Sequence, residues 1–250
     1  MNTILAMSIV LLLLMALISG KTGIRNIFGL FLNLIVIFVF IILANWQINL
    51  LLLTLATSII ILTLAIFMSS EDNHVTTIAY KSSIFVVLPL ILLAFIIQYL
   101  SQIQGFSVEQ ADELETLSLS VGLNFSDLAV AIMTISMLGA VAEAAMAITA
   151  NLIELIEKNP YISSSSLATE RLLISKQIMG TAINTLFFGM LGSSLPLILW
   201  YVDLDENLSL IINSKLLLAE AMTMFLGILA IIFTIELASH YVIMEREKSI

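Results

Sequence analysis

The sequence predicts an all-α protein: a polytopic bundle of about seven transmembrane helices, with its N-terminus outside and its C-terminus in the cytoplasm. Three observations carry that prediction. The 250 residues are 60% hydrophobic and 11% charged, with a mean hydropathy of +1.13, whereas soluble domains hold about 45–50% apolar and about 25% charged residues. Apolar runs near the roughly 20 residues that cross a bilayer recur along the whole chain and leave little between them. The cations gather in alternate connections.

The predicted spans are 3–19, 26–44, 49–68, 83–100, 127–152, 179–201 and 215–243. Each is helical, because backbone groups facing lipid are satisfied only within a helix or a closed barrel. Runs such as 50–53 and 59–62 are continuous, without the alternation a barrel strand needs. The first span has no Lys or Arg before it, and Lys21 and Arg25 follow it. It therefore reads as a retained helix, since a cleaved signal begins with positive charge.

Placing the N-terminus outside puts Lys21, Arg25, Lys81, Lys158, Arg171, Lys176, Arg246 and Lys248 in the cytoplasm and only Lys215 outside. That asymmetry is what the positive-inside rule demands. Three connections have some size. Residues 101–126, outside, carry Glu109, Asp112, Glu113 and Glu115. Residues 154–178, inside, hold Pro160, four consecutive serines and a Leu/Ile-patterned stretch from Leu167. Residues 202–214, outside, hold Asp203, Asp205 and Glu206. None is long enough to bury a core of its own, so residues 1–250 form one membrane domain.

Ionisable groups inside a membrane are costly and mark function by default. Glu143, in the fifth span, is the outstanding one. It is surrounded by Gly139, Ala140, Ala142, Ala144, Ala145 and Ala147, and such small residues let a neighbouring helix approach. Glu143 is thus expected to face protein. Helical steps put Gly139, Glu143, Ala147, Ala150 and Glu154 on one stripe, with Asn151 beside it. Either Glu143 is a protonatable relay, its pKa raised by desolvation, or it is a hydrogen-bonded group that holds helices together.

In the sixth span Thr181, Asn184, Thr185 and Gly192 share a face, and Ser193 and Ser194 precede Pro196. A polar stretch near a helix-bending proline often lines a cavity; ordinary interhelical hydrogen bonding is the alternative. In the seventh span Glu220 and Glu236 lie within reach of the two interfaces.

Enzyme chemistry is not expected. The acidic run at 203–207 lacks the glycine and distal glutamate of a calcium loop. His74 and His240 are solitary and near interfaces, so no metal site is expected. Neither histidine matches the depth of Ser193 or Ser194 to act as a base. No span carries a deep Asp or a mid-membrane Lys, and there is no Cys. No cofactor is expected and no nucleic-acid partner.

Several of these stretches carry a family likeness. Gly139–Ala–Val–Ala–Glu–Ala–Ala–Met–Ala–Ile–Thr–Ala–Asn, then Glu157–Lys–Asn–Pro160, then Ile178–Met–Gly–Thr–Ala–Ile–Asn–Thr–Leu186 and Leu191–Gly–Ser–Ser–Leu–Pro–Leu197 resemble the YibE/F family of bacterial membrane proteins, in its short YibF-like form. The resemblance implies a bacterial plasma membrane and a larger YibE-like companion, with homo-oligomers also open. Two positions depart from the expected pattern: Glu143 stands where an Asp is expected, and Gln177 where an acidic residue is expected. The last three spans are also similar, in the order of their features, to the export subunit SecF and the wider RND transporters.

The expected function is a membrane subunit of a proton- or ion-coupled transport system, with Glu143 as the relay. Thr181, Asn184, Thr185, Ser193 and Ser194 would line a polar path. The alternative is a non-catalytic membrane scaffold or assembly factor.

Overall fold

A computed structural model describes residues 3–46, 48–103 and 124–249. The acidic residues Glu109, Asp112, Glu113 and Glu115 lie outside this described part. All elements are helices: α1 (Thr3–Asn45), α2 (Leu50–Ser69), α3 (Asn73–Ser101), α4 (Phe125–Lys158), α5 (Ser164–Asp203), the short α6 (Leu208–Ile212) and α7 (Lys215–Ser249). Six of them are long and apolar enough to cross a membrane.

The difference between six helices and seven expected spans lies in α1. Its 43 residues would reach about 64 Å as one rod, twice the roughly 30 Å hydrocarbon core. Gly20 breaks it, with φ 54° and ψ −128°, a conformation open to glycine and strained for other residues. A side chain at Gly23 would collide with the Met15 carbonyl oxygen, eight residues back; in an unbroken helix that separation is about 12 Å. The chain therefore turns sharply at Gly20 into two membrane-length arms, 3–19 and 21–45. The second arm begins before residue 26, because Lys21–Arg25 remain helical.

The helix starts follow local chemistry. Side-chain oxygens of Asn49, Asp72, Asn124 and Ser163 each accept from free backbone N–H groups at the first turn of α2, α3, α4 and α5, as N-caps do. Several helices overshoot the apolar spans. α3 begins at Asn73 and α5 at Ser164, so the Leu/Ile-patterned stretch from Leu167 is continuous with the sixth span. α5 also stays helical through Pro196. One lost backbone bond does not end a helix of 40 residues whose other bonds cannot be exchanged for water in lipid.

Of the six membrane-length helices, α4 is the most buried and α5 the least. A central cluster joins Leu62 and Ile66 of α2, Val87 and Leu90 of α3, Met137, Leu138 and Val141 of α4, and Leu226 and Ala230 of α7. A second joins Ile78, Ile148, Leu152, Ile231 and Ile235. At the opposite end Phe40, Ala44, Leu50 and Ala131 form a third. In lipid such contacts act through close packing, not through expulsion of water.

Polar clamps tie the cation-rich end. Arg25 donates from Nε to the Met68 carbonyl oxygen (2.8 Å) and pairs with Glu71 (3.4 Å). His74 Nε2 meets Glu245 at 2.8 Å, joining α3 to α7. Arg171 of α5 pairs with Glu236 of α7. Arg246 of α7 donates to the carbonyl of Ile162 (2.6 Å), in the turn between α4 and α5.

Candidate functional site

The small-residue stripe of α4 floors an open groove. Gly139, Glu143, Met146, Ala147 and Ala150 line it from α4, and Ala65, Ser69, Ser70, Asp72 and Val75 line it from the end of α2 and the start of α3. Its volume is about 730 Å³. The α2–α3 turn belongs to the cation-rich end, so the groove opens there and reaches Glu143 deeper in. The shape follows from side-chain size: a Cβ added at Gly139 would meet nothing within 4 Å.

Four carboxyls line this groove: Asp72, Glu143, Glu154 and Glu157. Two are engaged. Asp72 caps α3, accepting from the N–H groups of His74 (2.8 Å) and Val75 (3.3 Å). Glu154 accepts from Lys158 Nζ at 2.5 Å. That hydrogen bond, reinforced by the charge, holds the Glu154 carboxyl below its ordinary range and raises Lys158. Glu143 makes no hydrogen bond or ion pair among the described residues, and its side chain is exposed to the groove. Helical periodicity placed Glu143 correctly on a stripe with Gly139, Ala147, Ala150 and Glu154. Among the described residues that stripe stays open to the groove, because α2, α3 and α7 pack on the other faces of α4.

The sixth-span residues lie elsewhere. None of Thr181, Asn184, Thr185, Ser193 and Ser194 lines the groove. Ile178, Met179, Ala182 and Leu186 turn toward α4 and α7, which leaves Thr181, Asn184 and Thr185 exposed on the outer side of α5. Thr181 donates to the Ile178 carbonyl (3.0 Å) and Thr185 to the Thr181 carbonyl (3.0 Å), so both hydroxyls are satisfied within the helix. Asn184 has no partner among the described residues. Ser193 donates to the Met190 carbonyl (2.9 Å); Ser194 is buried, and its hydroxyl has no partner among the described residues. Gly180, Gly189 and Gly192 of α5 also have open space where a Cβ would stand.

Ser69, Ser70 and Asp72 were not singled out in the sequence, and nothing in their local pattern marks them. They join the groove because the α2–α3 turn lies against the end of α4. Among the described residues no group of three His, Cys, Asp or Glu side chains is arranged to hold a metal ion.

A family model, YibE/F-like protein, matches residues 7–245. No curated protein and no solved structure matches the chain, so the likeness of the last three spans to SecF rests on element order alone. The matched region reaches all six long helices, leaving out only the first residues of α1 and the last of α7, and includes α4 with Glu143 and α5 with Thr181–Thr185. The chain is a multi-pass membrane protein and belongs to the YibE/F family.

Proposed function

We propose that the chain is a membrane subunit of a proton- or ion-coupled transport system, placed in a bacterial plasma membrane and working with a larger YibE-like membrane protein. The observation that carries this reading is Glu143: a carboxyl in a transmembrane helix, without a partner among the described residues, on the wall of a groove open at one end. An ionisable side chain at such depth is stable only against water or another polar surface. A groove open to water lets the carboxyl take up a proton on one side, and a partner surface lets it deliver that proton onward. Thr181, Asn184 and Thr185 supply a second open polar surface, on α5.

The test is proton movement in vesicles holding the chain together with whatever membrane protein copurifies with it. An imposed pH gradient drives proton flux in the wild type, and Glu143→Gln, which keeps the shape but cannot carry a proton, loses that flux while still purifying as a folded protein. Full flux in Glu143→Gln overturns the relay.

The same open faces also support a second reading, a scaffold that docks other membrane proteins. There Glu143→Gln is mild and Glu143→Leu harmful, with loss of the copurifying partner instead of loss of flux.

A further inference from the structure

A second groove, of about 600 Å³, lies on the lipid-facing side between α3 and α7, away from Glu143. Its walls are polarised along the membrane normal. α3 runs away from the cation-rich end, so Phe85 stands near that end and Leu93 deeper; α7 runs toward it, so Phe233 is deep and Glu236 and His240 are near. The deep part is apolar, formed by Pro89, Leu90, Leu93 and Phe233. The shallow part holds a carboxylate, Glu236, paired with the guanidinium of Arg171. Pro89 adds a further polar atom: lacking an N–H, it leaves the Phe85 carbonyl, four residues back, without its helical donor.

We propose that this groove is a binding site for a phospholipid of the adjacent leaflet whose headgroup carries a primary amine. One acyl chain lies along Pro89, Leu93 and Phe233. The ammonium donates to the Glu236 carboxylate and to the free Phe85 carbonyl, and the phosphate faces Arg171. The Arg171–Glu236 pair is a zwitterion matched by a zwitterion of opposite order. An anionic headgroup meets Arg171 but brings no cation to the Glu236 carboxylate, so it forgoes the charge pairing that the ammonium makes there. A quaternary ammonium has the charge but no N–H to give.

Native mass spectrometry of the purified chain, offered equal amounts of phosphatidylethanolamine, phosphatidylglycerol and phosphatidylcholine with identical acyl chains, tests this. The wild type retains one phosphatidylethanolamine at about tenfold preference over the other two, the ratio expected from one charge-assisted hydrogen bond. Glu236→Gln brings the three lipids to parity. Leu93→Trp fills the deep end and removes retention of all three, with helix content by circular dichroism as the check on folding. If Glu236→Gln does not fold, Leu93→Trp carries the test. Equal retention of the three lipids by the wild type, an unchanged preference in Glu236→Gln, or unchanged retention in folded Leu93→Trp overturns the proposal.

Discussion

Arg25 reaches across from the second arm of α1 and donates its Nε–H to the carbonyl oxygen of Met68, at the C-terminal end of α2. The last carbonyls of a helix have no intrahelical donor, and a cation there also opposes the negative end of the helix dipole. Arg25 thus stops α2 and fixes α1 beside it.

Replacing Arg25 with Ala is expected to cost about 2 kcal/mol, the range for a hydrogen bond to a charged group. Equilibrium unfolding in mixed micelles measures it. Arg25→Lys restores less than half, since an ammonium cannot serve Met68 and Glu71 with one planar fork.

Two sets of glycines are expected to respond in opposite directions. Gly20→Ala is strained by its backbone conformation, by about 1–3 kcal/mol, and Gly23→Ala by collision with Met15; both lower thermal stability. Gly139→Ala and Gly192→Ala meet nothing, so in the isolated chain each gains about 0.5–1 kcal/mol from helix propensity.

The chain contains no cysteine, which makes single-cysteine labelling clean. Tyr161→Cys, in the turn between α4 and α5, is expected to react with a membrane-impermeant thiol reagent only from the cytoplasmic side, and Leu208→Cys only from outside. The reverse pattern overturns the charge-based orientation.

Asn184→Ala is expected to leave the unfolding midpoint of the isolated chain unchanged, because the Asn184 side chain makes no hydrogen bond among the described residues. The same variant reduces copurification of the proposed partner several-fold, read by quantitative mass spectrometry. An unchanged yield of partner places the contact elsewhere.

The Glu154–Lys158 pair sets a limited pH dependence. Glu154 is held below its ordinary 4.5 by the hydrogen bond and then the charge of Lys158, so its contribution is present above about pH 4.5 and lost as pH falls through the lowered value. Lys158 is raised above its ordinary 10.5 by the same two causes, so its contribution is full below about pH 10.5 and lost as pH rises through the raised value. Both groups are exposed and screened by salt. Unfolding midpoints of wild type and Glu154→Gln should therefore differ by a small, constant amount between these limits and converge outside them.

Much of the fold was legible because a bilayer simplifies the problem: apolar length alone marks a crossing. The turn at Gly20 was implied by Lys21 and Arg25, but the helical state of 21–25 was not, since those residues read equally as a loop. The extension of α5 back to Ser164 was hidden for a similar reason: its polar turns are stable only against α7, through Arg171 and Glu236. Periodicity grouped Glu143 with Gly139 and Ala147, and Thr181 with Asn184 and Thr185. It does not say which way a face turns. In a helix that is apolar nearly all round, that is decided by the helices it packs on, which is why Glu143 and Asn184 could be placed on faces but not in surroundings.

The polar clamps at the cation-rich end have one more consequence. Directional contacts such as Arg25 to Met68 and His74 to Glu245 resist sliding, whereas the patch at the far end, Phe40, Ala44, Leu50 and Ala131, is made of apolar side chains held by packing. Rods fastened at one end swing about that end. Any rearrangement of this bundle is therefore smallest where the clamps are and grows toward the opposite leaflet, so the fastened end is the pivot and the far end the aperture.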